Sequence, residues 1–467
     1  MSLRLLAEAA DTPATPITID ALTQYFHRCG KPRAAWRVGA EIELIAVSGA
    51  SGRQLPYLTA SGVEALLERR AADFAWSVHR EDGHVVALTR ETTAPGAVAA
   101  DRSGRYVISL EPGAQLELAT PPVTHLATLA AALAQHRAEL RAVAGTSATE
   151  YLGIGFTPFS SEPDIGMTTR ARHRIMAAYL PTRGNLALSM MKGTASVQVA
   201  VDYSDEADAC KKLWCALCLS PLCTALFANS PIAGGRDTGM ASYRGHIWLN
   251  TDPDRAGLLG DVVEEGAFSF ARWTEFLLDV PMMFYAVGDQ WEPALGRTFR
   301  DYMRAGLRGT MPTLDDWETH LTSVFPEVRL KQYIEIRGAD SVPLPMAAGV
   351  PALWKGVMYD DAALAQAQGL ARELSRDRAA LFHLAIHQGL RGVHRGRSLG
   401  QWVRELLAIS ARGLANQSVA TGLEDERALL EPLLAAAEAE RSPAEQIRER
   451  CRNGVIEPAA VLELCRF

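Results

Sequence analysis

The sequence lacks the features of a membrane or secreted protein. No apolar run approaches the roughly 20 residues that a membrane-spanning helix needs. The N-terminus has only a short apolar patch before Glu8 and Asp11, which is not the profile of a signal peptide. The seven cysteines are an odd number and suggest no compact disulfide framework. We therefore expect a cytosolic protein that has no membrane partner.

Two further absences concern nucleic acids and nucleotides. The formal net charge is −7, which argues against an extended surface for nucleic acid. No Gly-x4-Gly-Lys-Ser/Thr phosphate loop occurs, and the Gly153-x-Gly155 pair alone is weak evidence for a nucleotide site. Any nucleotide that binds is therefore expected to lie on a β-sheet and not on a phosphate loop.

Four segments far apart in the chain share an alternation of polar and apolar residues. They are Val38–Leu44, Gln115–Ala119, Ser196–Val201 and Tyr333–Arg337. Successive side chains of a β-strand point to opposite faces of its sheet. If the four strands lie in one sheet, one face is apolar, and the other face carries Glu41, Glu43, Glu117, Gln198, Glu335 and Arg337.

The predicted polar face has the composition of a site for a divalent cation and a phosphate. Four carboxylates on one surface would repel each other and raise one another's pKa values. A hard divalent cation removes this conflict, and oxygen ligands favour Mg²⁺ or Mn²⁺ over Zn²⁺. Arg337 could bind phosphate through two hydrogen bonds. These features together suggest ATP chemistry, and the alternative is four ordinary strand faces in contact with water.

Three other side chains are candidates for a site. Met190–Thr194 leads into the third strand, Ser196–Val201, and places Lys192 just before the start of that strand. Arg244 and His246 lie among aromatic residues, which would suit a pocket for a small acidic solute. The alternative for Arg244 is a surface position, stacked on a neighbouring ring. For His246 a structural role is expected, because no second histidine stands at ligand spacing.

The remaining chain is predicted to be mainly helical. Asp205–Asn229 reads as a helix whose four cysteines are small core residues, because zinc sites of closely spaced thiols normally lie on turns. From Asp360 onward alanine, leucine, arginine and glutamate dominate at helical spacing, which predicts four or five helices. The composition, with 48% hydrophobic and 22% charged residues, is typical of a globular protein.

Longer runs of the sequence resemble the plant and proteobacterial type of glutamate–cysteine ligase, whose fold is related to that of glutamine synthetase. The matching runs are Gly39–Glu43, Ser109–Leu118, Arg174–Pro181, Met190–Tyr203, Ser204–Asp208, Leu226–Pro231, Arg244–Trp248, Asp252–Arg255 and Phe325–Asp340. The resemblance implies an α+β fold, in which a curved antiparallel sheet forms an active-site bowl and helices pack on its outer face. We expect a catalytic domain over residues 1–360 and a C-terminal helical segment over residues 361–467 that packs on it as part of one structural unit.

The resemblance also implies roles for individual residues. The residues that fall on metal ligands are Glu41, Glu43, Glu117 and Glu335, with Gln198 where more distant relatives use a histidine. Arg337 falls on a phosphate-binding arginine and Lys192 on a basic residue near the same phosphates, which makes both of them catalytic and ATP-binding candidates. Arg244 falls on the residue that grips a substrate carboxylate, and Glu111 and Met283 complete the predicted substrate-binding set.

The activity that the resemblance implies is ATP-dependent ligation of the L-glutamate γ-carboxylate to the amine of L-cysteine. The reaction passes through γ-glutamyl phosphate and gives γ-glutamylcysteine, ADP and phosphate, the first step of glutathione-type thiol biosynthesis. It requires ATP and Mg²⁺, with Mn²⁺ as a substitute, and small molecules are the expected partners of a monomer or homodimer. Met283 stands where plant enzymes have a tyrosine near the incoming cysteine. A ligase for a different amine and a non-catalytic nucleotide-binding relative are therefore the alternatives.

Overall fold

The centre of the protein is an antiparallel β-sheet. The computed structural model describes residues 17–91, 104–145, 148–260, 265–288 and 290–467. Its strands are β1 (Val38–Ser48), β2 (Ser77–Glu81), β3 (His84–Glu91), β4 (Arg105–Leu110), β5 (Leu116–Ala119), β6 (Thr149–Leu152), β7 (Ser196–Val201), β8 (Ile232–Ala233), β9 (Arg236–Asp237), β10 (Ala256–Gly257), β11 (Phe284–Val287), β12 (Gln290–Pro293), β13 (Phe325–Pro326), β14 (Val328–Leu330), β15 (Ile334–Asp340), β16 (Val393–His394) and β17 (Arg397–Ser398). Within these described ranges, nine strands form the main sheet in the order β14-β15-β7-β1-β5-β4-β3-β2, and β6 also pairs with β1.

The four strands predicted to carry the polar face are neighbours in this sheet, as β15, β7, β1 and β5. β1 lies between β5 and β7 and pairs antiparallel with both of them. Its apolar side chains Ile42 and Leu44 are fully buried, as expected for residues that alternate with Glu41 and Glu43. The prediction that these segments belong to one sheet is confirmed.

The described chain also contains eighteen α-helices. They are α1 (Ile19–Arg28), α2 (Val63–Phe74), α3 (Leu126–Ala144), α4 (Ala171–Tyr179), α5 (Ala187–Gly193), α6 (Glu206–Leu226), α7 (Tyr243–Leu249), α8 (Phe270–Asp279), α9 (Phe299–Ala305), α10 (Leu314–Leu321), α11 (Leu344–Ala347), α12 (Gly349–Met358), α13 (Asp361–Leu374), α14 (Arg378–Gln388), α15 (Leu399–Thr421), α16 (Glu431–Glu438), α17 (Pro443–Arg450) and α18 (Pro458–Cys465). α6 packs against β14 and β15, and α12 packs against β7 and β1.

The cysteine-rich segment forms the core helix α6. Asp205 caps its N-terminus by accepting a hydrogen bond from the Asp208 amide at 2.9 Å, as the acidic start of the segment predicts. Its four cysteines are free thiols, three of them buried and Cys210 half-buried, which confirms their structural role. In the described part of the chain α6 is also the one helix long and apolar enough to cross a membrane, but 89% of that window is buried inside the protein.

Residues 361–467, all of them described, form six α-helices, one more than the predicted upper number. α15 packs closely on α12, where a Cβ at Gly413 would lie 1.9 Å from the Gly356 carbonyl oxygen. One hydrophobic core runs from sheet residues such as Leu44 to helix residues such as Leu353 and Leu407. The boundary between a catalytic domain and a helical segment after residue 360 stays a prediction.

Close packing explains the Gly153-x-Gly155 pair that follows β6. A Cβ at Gly153 would lie 2.2 Å from the Val342 carbonyl oxygen, and one at Gly155 would lie 2.5 Å from Asp340 Cγ. Both glycines therefore let this segment approach the chain that leaves β15. This packing requirement accounts for the pair without a bound nucleotide.

Candidate active site

The strand register places the predicted polar residues on one face of the sheet. Glu41 lies opposite Gln198 across β1 and β7, and Glu43 lies opposite Glu117 across β1 and β5. Residues that lie directly opposite each other in an antiparallel pair point to the same face. The shared face of these four residues, which alternation alone predicts, is therefore confirmed.

Glu335 and Arg337 extend this face onto β15. Glu335 lies opposite Ala200, which is two residues beyond Gln198 on β7 and so shares its face. The register between β15 and β7 shifts after Ile336, as at a β-bulge. The Arg337 guanidinium reaches back from this irregularity and donates hydrogen bonds to Gln198 Oε1 and to Glu335 Oε2, the latter at 2.9 Å.

Three carboxylates form a tight cluster at one end of the face. Oxygen atoms of Glu43, Glu111 and Glu117 all lie within 4.8 Å of one another. Glu111 comes from the turn after β4, where its carbonyl accepts a hydrogen bond from the Ala114 amide at 2.8 Å. Glu111 was predicted only as a substrate-binding residue, and the structure adds it to the acidic group. Glu41 and Glu335 are outside this cluster in the described residues.

Burial and repulsion between carboxylates raise the pKa values of two members of this cluster, Glu43 and Glu117. Burial, and then the charge of Glu117, raise the pKa of Glu43 to about 7, although the Ser196 amide and Gln198 Nε2 donate to its carboxylate at 2.6 and 3.1 Å. Burial and the neighbouring Glu41 raise the pKa of Glu117 well above its ordinary value. A hard divalent cation would remove this penalty, and a set of carboxylate oxygens is the donor set that Mg²⁺ or Mn²⁺ prefers.

Glu335 lies among three cations. Its carboxylate is 2.5 Å from Arg329 Nε, 2.8 Å from Lys331 Nζ and 2.9 Å from Arg337 Nη1. These charges hold the pKa of Glu335 well below its usual range despite its burial. In this structure Glu335, a predicted metal ligand, is therefore a counterion that fixes the position of Arg337.

The sequence prediction missed Arg329 and Lys331. Val328-Arg-Leu-Lys331 has the same polar–apolar alternation as the four chosen segments, and Arg329 lies opposite Glu335 across β14 and β15. The alternation in β14 and in the residue after it is therefore a sequence signal that identifies both Arg329 and Lys331. Arg172 on α4 was also missed, and it lines the cavity beside Glu111 and Glu117.

Arg244 is a buried cavity residue, so its surface alternative is wrong. Only 3% of Arg244 is exposed, and it lines a cavity together with Glu43 and Glu111. Its Nη2 donates to the Arg337 carbonyl oxygen at 2.9 Å, and its Nη1 lies 3.7 Å from Asp340 Oδ1. Because α7 begins at Tyr243, the helix start delivers this guanidinium beside the end of β15.

Met283 reaches the site as predicted, but Lys192 has a different partner. Met283 is buried and lines the cavity that also contains Glu43 and Arg337. Lys192 Nζ instead forms an ion pair with Glu162 Oε1 at 2.5 Å, and it lines none of the three cavities that contain residues of the acidic face. Lys192 therefore does not line a cavity with Arg337, and its role near the phosphates stays a prediction.

The polar face lies between two cavities that meet at Glu41 and Gln198. One cavity extends past Glu335 to Lys31, Arg37 and Tyr333. The second cavity extends in the other direction and is lined by Glu43, Glu111, Glu117, Arg172, Met283 and Arg337, among others. The arrangement has room for one ligand at each end of the acidic face, so that groups of both ligands could meet over the carboxylates.

The structure has the fold of a solved bacterial enzyme. It is similar to the crystal structure of glutamate–cysteine ligase from Francisella tularensis in complex with AMP, with a TM-score of 0.54 and 14% sequence identity over 92% of this chain and 87% of that chain. At this identity the similarity shows the fold alone. The prediction of a large antiparallel sheet with packed helices is confirmed.

Plant enzymes are more similar in sequence. Glutamate–cysteine ligase of Medicago truncatula is 36% identical over 411 residues, which are 87% of this chain and 78% of the relative. The corresponding figures for the Arabidopsis thaliana enzyme are 35% identity over 87% of this chain and 76% of the relative. Both relatives are chloroplastic, so the prediction of a cytosolic location is wrong. A signal-peptide profile does not bear on a plastid location, because plastid transit peptides are amphipathic and rich in Arg and Ser.

A match to a protein family covers nearly the whole chain. Residues 37–463 match the family described as glutamate-cysteine ligase family 2. This range contains all the strands of the main sheet and every residue of the acidic face. The resemblance found in the sequence is thereby confirmed, and the chain belongs to glutamate–cysteine ligase family 2.

Proposed function

We propose that this protein joins the γ-carboxylate of L-glutamate to the amine of L-cysteine at the expense of ATP. The observation that carries the proposal is the convergence of the Glu43–Glu111–Glu117 cluster with two arginines, the buried Arg244 and the partly buried Arg337. Carboxylates that can hold Mg²⁺ beside cations that can bind phosphate and carboxylate are the parts that an ATP-dependent ligase requires.

We propose that the three clustered carboxylates hold Mg²⁺ or Mn²⁺, with Glu41 as a further ligand, while Glu335 remains the counterion of Arg329, Lys331 and Arg337. The bound ion would neutralise negative charge on the phosphates of ATP. In the absence of an ion, Gln198 and Ser196 hold the Glu43 carboxylate in place through the hydrogen bonds described above. Gln198 also accepts a hydrogen bond from Arg337, and this links the metal-binding group to the phosphate-binding group.

The two arginines have separate tasks in the proposed reaction. Arg244 binds a carboxylate of glutamate, and its burial makes that ion pair stronger than it would be in water. Arg337 donates to oxygens of the phosphoryl group while the glutamate γ-carboxylate attacks the γ-phosphorus and ADP leaves. The cysteine amine then attacks the acyl carbon, phosphate leaves and the amine loses a proton, which gives the γ-amide.

Three cavities take part in this proposal. ATP would occupy the cavity that extends to Lys31, Arg37 and Tyr333. The two amino acids would occupy the cavity lined by Arg244 and the cavity lined by Met283, which share Glu43, Glu111 and Arg337. The reacting groups then meet over the acidic face, where positioning contributes most of the rate enhancement. The chemistry needs no nucleophile from the protein.

A second candidate is a γ-glutamyl ligase that uses another amine. It rests on Met283, which fills the cavity wall with an apolar side chain and offers no hydroxyl group to the incoming amine. An apolar wall discriminates among small side chains by only about 1–3 kcal/mol. The identity of the amine therefore has to be measured.

An ADP-release assay with ATP, Mg²⁺, glutamate and a panel of amines tests the proposal. ADP release that requires both glutamate and cysteine, with a product of the mass of γ-glutamylcysteine, is the expected result. Release with a different amine and little with cysteine would support the second candidate. Mg²⁺-dependent ATP binding without turnover on any pair would contradict both and indicate a non-catalytic relative.

A further inference from the structure

Three buried polar atoms from the wall of one cavity have no hydrogen-bond partner within the described ranges of the chain. They are Gln115 Oε1, Arg244 Nε and Trp248 Nε1. Their side chains line the cavity that also contains Glu43 and Glu111, and the three residues are only 1%, 3% and 9% exposed. A buried polar atom without a partner raises the free energy of the folded state, so a cavity that collects three of them is suited to a polar ligand.

The side-chain amide of Gln115 has a fixed orientation. Its Nε2 donates hydrogen bonds to the carbonyl oxygens of Met191 and Thr194, at 3.2 and 2.9 Å. Carbonyl oxygens pair only with the NH₂ end of an amide, and both of its donors are used, so the amide cannot be reversed. Met191 and Thr194 line the same cavity as Gln115. The Oε1 atom is therefore left as an acceptor for an N–H donor of a ligand.

Arg244 and Trp248 offer donors from one side of α7. They are four residues apart on this helix, so their side chains project from the same side. The Trp248 ring makes an edge contact with Phe325, with centroids 5.7 Å apart, and Arg244 Nη2 is held by the Arg337 carbonyl oxygen. The side-chain nitrogens of arginine and tryptophan are donors only. The cavity thus offers one acceptor just before β5 and two donors on α7.

An α-amino acid carries the complementary groups, because its ammonium is a donor and its α-carboxylate is an acceptor. We propose that Gln115 Oε1 accepts a hydrogen bond from the α-ammonium of glutamate, and that Arg244 Nε and Trp248 Nε1 donate to its α-carboxylate. This inference rests on the ligase function proposed above and adds Gln115 and Trp248 to the residues that select the substrate.

The same contacts explain which carboxylate of glutamate reacts. When both substituents of the α-carbon are bound, the γ-carboxylate is the one that remains free to attack the γ-phosphorus of ATP. Arg337, the proposed phosphate-binding residue, lines the same cavity. The contacts at the α-carbon would therefore direct the reaction to the γ-position by holding the substrate in one orientation.

Binding of three ligands to the full-length protein tests this inference, with calorimetry in Mg²⁺ and a non-hydrolysable ATP analogue. L-Glutamate carries both α-substituents, glutarate lacks the ammonium, and 4-aminobutyrate lacks the α-carboxylate. The wild type should bind glutamate about tenfold to hundredfold more tightly than either analogue, as expected for hydrogen bonds to charged groups.

Two substitutions at Gln115 separate ligand recognition from damage to the protein. Gln115→Met and Gln115→Glu both lose the hydrogen bonds to Met191 and Thr194, but only Gln115→Glu keeps an oxygen acceptor. The preference for glutamate over glutarate should disappear in Gln115→Met and persist in Gln115→Glu. The preference for glutamate over 4-aminobutyrate should persist in both variants.

Trp248→Phe tests the carboxylate end, because it keeps an aromatic ring and removes the N–H group. It should lower the preference over 4-aminobutyrate by about tenfold and leave the preference over glutarate unchanged. The matched control is Trp402→Phe on α15, which also removes a buried indole N–H that has no partner in the described chain but lies outside this cavity wall. It should change neither preference.

The inference is overturned if the wild type binds glutarate as tightly as glutamate. It is also overturned if Gln115→Met, folded by circular dichroism, keeps the preference over glutarate or weakens all three ligands equally, since equal weakening indicates a structural role. If Gln115→Met does not fold, an unchanged preference over 4-aminobutyrate in Trp248→Phe overturns it.

The ADP-release assay separates this inference from the proposed function. Turnover with glutamate and cysteine, together with equal binding of glutamate and glutarate, contradicts this inference alone. Absence of both turnover and glutamate binding contradicts the proposed function as well.

Discussion

Arg337 Nη1 donates a hydrogen bond to Glu335 Oε2 at 2.9 Å, and both residues lie on β15. Arg329 and Lys331 contact the same carboxylate from β14 and the residue that follows it. Glu335 thus contacts three cations, and its charge lowers the free energy of keeping the Arg337 guanidinium away from water. Arg337 is therefore held in place before any ligand arrives, as electrostatic catalysis requires.

Replacement of Arg337 should reduce turnover strongly. In the Arg337→Ala variant, we expect kcat for ADP release at saturating substrates to fall by about 10²–10³-fold, by analogy with loss of one transition-state donor. Arg337→Lys keeps the positive charge but loses the bidentate hydrogen bonding of the guanidinium. Its kcat should therefore lie between those of Arg337→Ala and the wild type.

The matched control for this measurement is Arg304→Ala, which removes an arginine whose side chain is 76% exposed and paired with Asp301. Its kcat should stay near that of the wild type. Near-normal turnover in folded Arg337→Ala protein would remove Arg337 from the mechanism.

The raised pKa of Glu43 should couple stability to pH when Mg²⁺ is absent. The folded-state pKa of about 7 lies above the ordinary value of 4.5, so the folded protein binds this proton more tightly than the unfolded chain. The contribution of Glu43 to the free energy of unfolding should therefore fall as pH rises from about 4.5 to about 7, by on the order of 1–3 kcal/mol.

Urea unfolding of the wild type and Glu43→Gln in EDTA, across this pH range, measures that difference. The wild type should lose stability relative to Glu43→Gln as pH rises, and Mg²⁺ should abolish the loss. Glu405→Gln, at an acid that is 44% exposed and paired with Arg397, should follow the wild type. A constant difference between wild type and Glu43→Gln would show that Glu43 is ionised throughout.

The buried Met283 should influence the choice of amine. Met283→Ala enlarges the cavity wall, so we expect the ratio of kcat/KM for cysteine to that for a bulkier amino acid to fall by about tenfold to hundredfold. The adjacent Met282 is also buried but packs in the main hydrophobic core, and Met282→Ala should change stability and leave the ratio unchanged. An unaltered ratio in Met283→Ala would place the amine elsewhere.

The close approach at Gly153 should make this position intolerant of any side chain. A Cβ there would lie 2.2 Å from a backbone oxygen of Val342, and backbone cannot move as a flexible side chain can. Gly153→Ala should lower the free energy of unfolding by about 1–3 kcal/mol, as overpacking does. Gly166→Ala, where no atom lies within 4 Å of the new methyl group, should lack this penalty in the same denaturation experiment.

The polar face of the site was predictable from the sequence because it depends on local backbone geometry. Glu41 and Glu43 must point the same way in any regular strand, and Glu335 and Arg337 would do so without the irregularity after Ile336. The apolar residues between them bury the opposite face, so the sheet face that carries the acids follows from alternation alone. The helix α6 and its core cysteines were predictable for the same reason.

Other features depend on contacts between distant segments, which no local pattern contains. Strand order and register decide that Glu43 meets Glu117, and the turn after β4 decides that Glu111 joins them. Packing also pairs Lys192 with Glu162 instead of the acidic face. The alternation of each strand thus determined which side chains share a face, while only the tertiary structure decided which of them touch, because register and helix packing are set by the whole core.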